Sequence, residues 1–171
     1  MKSFRRSATY LHPIEDVWAG LTDRHALAEW LMPTTFTEPT VGTQFRFQYD
    51  PSFMCPAGIV DCEVLESEPP RRMVWSWRNR AREGAVQMPA MRVEWLLTEV
   101  AKGTRVELVQ SQLEGQPWLI PFAMGVGWSL YFRKYLPRAL RNINAGKFMP
   151  GAIPLPQRAY RATNLPHDVT V

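Results

Sequence analysis

Residues 118–144, WLIPFAMGVGWSLYFRKYLPRALRNIN, constrain the fold more than any other stretch. Met124, Trp128, Tyr131, Phe132 and Tyr135 recur at three- and four-residue steps, and Leu140 and Ile143 extend the stripe. Arg133, Lys134, Arg138 and Arg141 lie largely off it. The spacing predicts one long amphipathic helix, kinked or divided at Pro137 and stopped by Gly146. Large aromatics on one stripe need a wide apolar surface to cover. A long helix laid across an antiparallel sheet meets that need, with a core or a cavity between the two layers.

The preceding segments read as that sheet. Phe4–Tyr10 suits a first or edge strand. Pro13 then opens a helix with Ile14, Val17, Trp18 and Leu21 on one face. Asp23 is placed to cap a second short helix carrying Ala26, Leu27 and Trp30, and Pro33 ends it. Trp18 and Trp30 are expected to anchor this helix pair on the strands. Thr34–Glu38 reads as a short strand. Phe45, Phe47 and Tyr49 alternate with Gln44, Arg46 and Gln48; Val60, Cys62 and Val64 alternate with Asp61 and Glu63. Met73, Trp75 and Trp77, then Met91, Val93, Trp95 and Leu97, then Val106 and Leu108 continue the pattern. Pro69-Pro70, the charged 79–89 stretch and Ala101–Gly103 separate the strands, so an antiparallel meander is expected. The predicted class is α+β, with one domain over 1–146 and a proline-rich tail without periodicity over 147–171.

Charge argues against several function classes. The formal charge of +4 comes mainly from arginine, sixteen of the twenty basic residues, spread along the chain without a basic block. No nucleic-acid partner is expected. No apolar run is long enough to cross a membrane, and MKSFRRSATYL is charged where a signal peptide is apolar, so a cytoplasmic setting is expected. Cys55 and Cys62 are expected to be free thiols there.

The order of strand, two short helices, further strands and a long helix resembles the helix-grip (START/Bet v-like) fold of the START-like (SRPBCC) superfamily. Within it the sequence resembles single-domain proteins related to the C-terminal domain of the activator of the ninety-kilodalton heat-shock chaperone's ATPase. HPIEDVWAGLTDRHALAEWL (12–31), VGTQFRFQY (41–49), GIVDCEVLESEPPRRMVWSWR (58–78) and VEWLLTEVAKGTRVELVQS (93–111) carry the likeness, with Gly127-Trp128 where the family has a glycine–tryptophan pair. The resemblance implies a curved sheet wrapped around the C-terminal helix, and the superfamily's use of that space for lipids, sterols, polyketides and plant hormones. Pro137 departs from the family's usually uninterrupted helix. No segment matches the N-terminal chaperone-binding domain of the eukaryotic co-chaperone, so a chaperone role is not expected.

Candidate chemistry is sparse. His12, His25 and His167 lack metal-ligand spacing, and no phosphate-binding glycine loop is present, so no metal or cofactor is expected. No catalytic residue is assigned. Asp61, Glu63 and Glu94 fall on outer strand faces, and Cys62 on an inner one. The candidate cavity residues are Phe45, Phe47, Tyr49, Trp75, Trp77, Trp95, Gln110, Trp128, Tyr131 and Phe132. Gln110 continues the Val106–Leu108 face, and a buried amide needs partners that a ligand or water could supply. The expected partner is a small apolar or aromatic molecule. Outward charge favours non-catalytic binding over a polyketide cyclase/aromatase-like reaction, with a co-chaperone-like interaction module as a third reading. Homodimer formation is left open. The alternative for the interior is that the rings fill it.

Overall fold

Period-two alternation produces a six-stranded antiparallel sheet in the computed structural model, which describes residues 3–171 except Met54. The strands are β1 (Ser3–Tyr10), β2 (Gln44–Gln48), β3 (Ile59–Glu68), β4 (Arg72–Asn79), β5 (Met91–Val100) and β6 (Gly103–Ser111). Their order is β1-β6-β5-β4-β3-β2, so the chain's first strand pairs with its last long one. Register puts Trp95 opposite Met73 and Leu108, and Val64 opposite Trp75, making one continuous apolar face. On the other face, Arg72 pairs with Glu66, Glu68 and Glu94, and Arg92 also pairs with Glu66. Val74 stands in register between Glu66 and Glu94 and is fully buried, although it belongs to this charged face. Arginine stems cover apolar surface while their heads stay hydrated, which accounts for a dry valine there.

Helices α1 (Ile14–Thr22) and α2 (Arg24–Trp30) follow β1. Asp23 caps α2, its Oδ1 accepting from the His25 and Ala26 amides at 2.8 and 3.0 Å. Trp30 is fully buried, and its indole donates to the Gly20 carbonyl at 2.7 Å. Trp18 is only partly buried against the core. Residues 34–38 do not form the expected strand. Thr34 makes isolated bridges to Phe47 and Thr170, and Phe36 turns into the core instead.

The long helix runs from Leu119 to Leu140 in three parts: α3 (Leu119–Leu130), a widened π-helical turn (Tyr131–Tyr135) and α4 (Leu136–Leu140). Pro137 explains the middle part. It has no N–H, so the carbonyl five residues back loses its donor in the wider turn. That carbonyl belongs to Phe132, since the Leu136 amide bonds Tyr131. The Tyr10 hydroxyl, arriving from β1, donates to the Phe132 carbonyl at 2.9 Å. A helix to residue 144 is therefore corrected to one ending at Leu140. Ile143 lies in β7 (Ile143–Asn144), paired with β8 (Lys147–Phe148). Gly146 is a hairpin residue rather than a helix stop: Ala145 and Gly146 take φ of 50° and 71°, the left-handed pair that a two-residue hairpin needs.

The last segment lies against the domain. The Glu29 carboxylate, 2% exposed on α2, accepts from the Gly151 and Ile153 amides at 2.5 and 2.8 Å, with Arg158 at 3.8 Å. Thr170 and Thr34 exchange backbone hydrogen bonds. Cys55 and Cys62 are both free and buried.

Burial separates the two tryptophans. Trp30→Ala is expected to cost about 3–5 kcal/mol in denaturant unfolding, and Trp18→Ala clearly less. Equal losses would contradict this placement of the helix pair.

Candidate functional site

A concave space of about 420 Å³ opens where the sheet, the long helix and the last segment meet. The end of α2 contributes Leu31 and Met32, the end of β2 contributes Tyr49, and β4 contributes Trp77 and Asn79. From the helix come Met124, Gly127, Trp128 and Tyr131, and from the last segment Tyr160 and Arg161. Apolar walls with few polar groups, at this volume, are the usual form of a small-molecule pocket.

The aromatic residues singled out in the sequence fall into two groups. Tyr49, Trp77, Trp128 and Tyr131 line the space. Phe45, Phe47, Trp75, Trp95 and Phe132 do not. With Phe36 they form a packed cluster, ring centroids 4.9–6.3 Å apart, mostly edge-on or tilted. Rings at these separations and angles leave no room among themselves. The interior is thus filled over most of the sheet and open at one end. Gln110 is corrected as well. Its Oε1 accepts from the Trp128 indole at 2.8 Å, and its Nε2 lies 3.5 Å from the sulfurs of Met91 and Met124. The buried amide has its partners within the protein and positions a wall residue.

Leu31, Met32, Met124, Gly127 and Tyr160 were not singled out as lining residues. Gly127 had the clearest signal, since it precedes Trp128 on the helix. A Cβ built on Gly127 meets no heavy atom within 4 Å, so the glycine leaves space that another residue would occupy. Tyr160 and Arg161 belong to a segment without periodicity, and no local pattern places them. They are strapped down by Asp50, whose amide donates to the Arg161 carbonyl at 2.7 Å and whose carboxylate accepts from Thr163 at 2.9 Å. The Tyr160 hydroxyl bonds the Ala28 carbonyl and Arg158.

The polar side chains at the pocket are the phenols of Tyr49, Tyr131 and Tyr160 together with Asp50, Ser52, Asn79 and Arg161. Burial pushes the Tyr131 hydroxyl well above its ordinary range, with Tyr49 and Tyr135 adding to the effect, and it bonds to no described residue. Tyr49 is raised by burial too, and lies beside Cys55 and Ser52. Such phenols stay protonated at neutral pH and can donate to a ligand oxygen. Burial also raises the thiols of Cys55 and Cys62, which keeps them un-ionised and poor nucleophiles. Among the described residues, no group of three or more His, Cys, Asp or Glu side chains is placed to hold a metal.

Residues 11–140 match the family described as Activator of Hsp90 ATPase homolog 1-like protein. The chain belongs to that family. Its helix-grip fold, of the SRPBCC type, is shared with solved structures. Protein MLL2253 from Mesorhizobium loti is 27% identical with a TM-score of 0.72, over 84% of this chain and 99% of that one. DynU16, a protein in the dynemicin biosynthetic locus, is 25% identical with a TM-score of 0.66, over 91% of this chain and 52% of that one. CalU16 from Micromonospora echinospora is 27% identical with a TM-score of 0.58, over 81% and 74%. No curated protein matches the chain. No helix among the described residues is long and apolar enough to cross a membrane.

The buried phenols fix a pH dependence. Tyr10, Tyr49, Tyr131 and Tyr160 are all raised by burial. Below about pH 10 folded and unfolded chains both hold these protons and stability is flat in this respect. Above it the unfolded chain releases them first, so stability falls as pH rises. Denaturant midpoints should drop between about pH 10 and about pH 12, and Tyr131→Phe should shallow the drop. A flat profile over that range contradicts the burial of these hydroxyls.

Proposed function

We propose that this protein binds a small, largely aromatic molecule in the pocket bounded by Trp77, Trp128 and Tyr131, without changing it chemically. The observation that carries this reading is a space of about 420 Å³ walled by five aromatic rings, among them Tyr131, whose hydroxyl bonds to no described residue. Flat rings offer large contact area with little conformational freedom to lose, which suits a planar ligand. The unpaired phenol suits a ligand with one carbonyl or ether oxygen.

A cyclase- or aromatase-like reaction is the second reading. Its support is the likeness to DynU16, a protein in the dynemicin biosynthetic locus. Such chemistry calls for a group that takes up a proton at working pH. The tyrosines here hold theirs, and Asp50 is engaged with Thr163. Binding therefore has the stronger physical support. An interaction module of co-chaperone type draws on no feature of this pocket.

Gly127→Phe separates binding from stability. The added side chain enters open space, and replacing a helical glycine stabilises the helix by some tenths of a kcal/mol. We expect an unchanged or higher melting temperature. The native protein should bind a neutral naphthylamine dye with one-to-one stoichiometry and quench its own tryptophan emission, because Trp77 and Trp128 touch the site. The variant should lose that binding at least about tenfold, about 1.4 kcal/mol. A native protein that ignores the dye, or a variant that binds it equally, would overturn the reading.

A further inference from the structure

A second concavity, of about 480 Å³, lies on the outside of the fold between residues 80–88, the start of α3, and Phe53 and Pro56. Three separate stretches bring large apolar side chains to it that are open to water: Phe53 (79% exposed), Val86 (87%) and Trp118 (78%). Surface apolar residues scattered singly need no account, but three converging on one groove mark a contact site.

The groove is built on a fixed frame. The Gln87 carboxamide accepts from the Ala81 amide and donates to the Asn79 and Met88 carbonyls. Gln116 donates to the Pro89 carbonyl at 2.9 Å, and Arg82 Nε to the Pro56 carbonyl at 3.0 Å. These bonds tie all three stretches together.

Its charge is one-sided. Arg80 and Arg82 line the groove and no carboxylate does. Arg80 is taken up by Asp61, bound through both Nε and a terminal nitrogen. Arg82 uses only Nε, and its two terminal nitrogens have no partner among the described residues. A guanidinium with free donors at the edge of an apolar groove matches a carboxylate joined to a hydrocarbon chain.

We propose that this outer groove is a second ligand site, taking a single-chain amphiphile with an anionic head. The chain lies against Val86, Trp118 and Ile120, and the head meets Arg82. Among the described lining residues the two concavities share Asn79 alone, and the proposal does not rest on the inner pocket's function.

Calorimetric titration with decanoate, below its micelle concentration, tests this, with decanol as the neutral chain and butyrate as the short acid. Decanoate should bind one-to-one and butyrate should not. Arg82→Gln should weaken decanoate about tenfold, as loss of a charged hydrogen bond does, and leave decanol unchanged. Val86→Asp, at an exposed position, should abolish both. Gly127→Phe should leave decanoate binding as it is. The proposal is overturned if decanoate does not bind, if Arg82→Gln weakens decanol as much as decanoate, or if Gly127→Phe removes decanoate binding and so assigns it to the inner pocket. Should Val86→Asp fail to fold, the Arg82→Gln comparison decides alone.

Discussion

The hydrogen bond from the Trp128 indole to the Gln110 carboxamide governs how the long helix settles on the sheet. Trp128 is nearly buried, 5.4 Å from Trp95 and 5.6 Å from Trp77, and a buried indole N–H without an acceptor is costly. Gln110 sits on β6, paired with both β1 and β5, so its amide is held by backbone on either side. The helix is thereby fixed at this point to β6, the strand next to the β1 edge. On one side of that point the rings of Trp75, Trp95 and Phe132 fill the interior. On the other, Gly127 contributes no side chain and the space stays open. Trp128 is the partition between the two.

A second constraint comes from Pro137. Pro137 has no amide to give, and in the widened turn the carbonyl left without one is that of buried Phe132, to which the Tyr10 hydroxyl from β1 donates. The same turn carries Tyr131, whose ring reaches Trp30, Trp128 and Tyr135 while its hydroxyl bonds to no described residue. An irregular turn of this type is often found at functional positions, and here it carries a residue of the pocket wall. Glu29 does comparable work for the last segment. A buried carboxylate satisfied by two backbone amides and approached by Arg158 holds that segment in place, and with it Tyr160 at the pocket wall.

Local pattern made much of the fold legible. Alternation in Phe45–Tyr49, Val60–Val64, Met73–Trp77 and Met91–Leu97 reports which side of a strand is dry, and Asp23 reports a helix start. Alternation says nothing about whether an inward ring meets another ring or a void, since both look equally apolar. Phe45, Phe47, Trp75 and Trp95 are therefore inward but packed, and only side-chain geometry distinguishes them from Trp77. Gln110 was legible as an inward amide, but its partner lies eighteen positions away on another element. Residues 147–171 were opaque for a different reason. Their contacts run to Glu29, Thr34, Arg46 and Asp50, and tertiary contacts of this range leave no period in the sequence.

The central claim, an open and selective pocket beside a filled core, can be read directly from methionine methyl groups. Met32 and Met124 line the inner pocket, Met88 the outer groove, and Met73 lies buried in the core away from both. In methyl NMR spectra with labelled methionine, a neutral naphthol should shift the Met32 and Met124 signals through its ring current and leave Met73 and Met88 in place. No shift at Met32 and Met124, or shifts confined to Met88, would contradict the account.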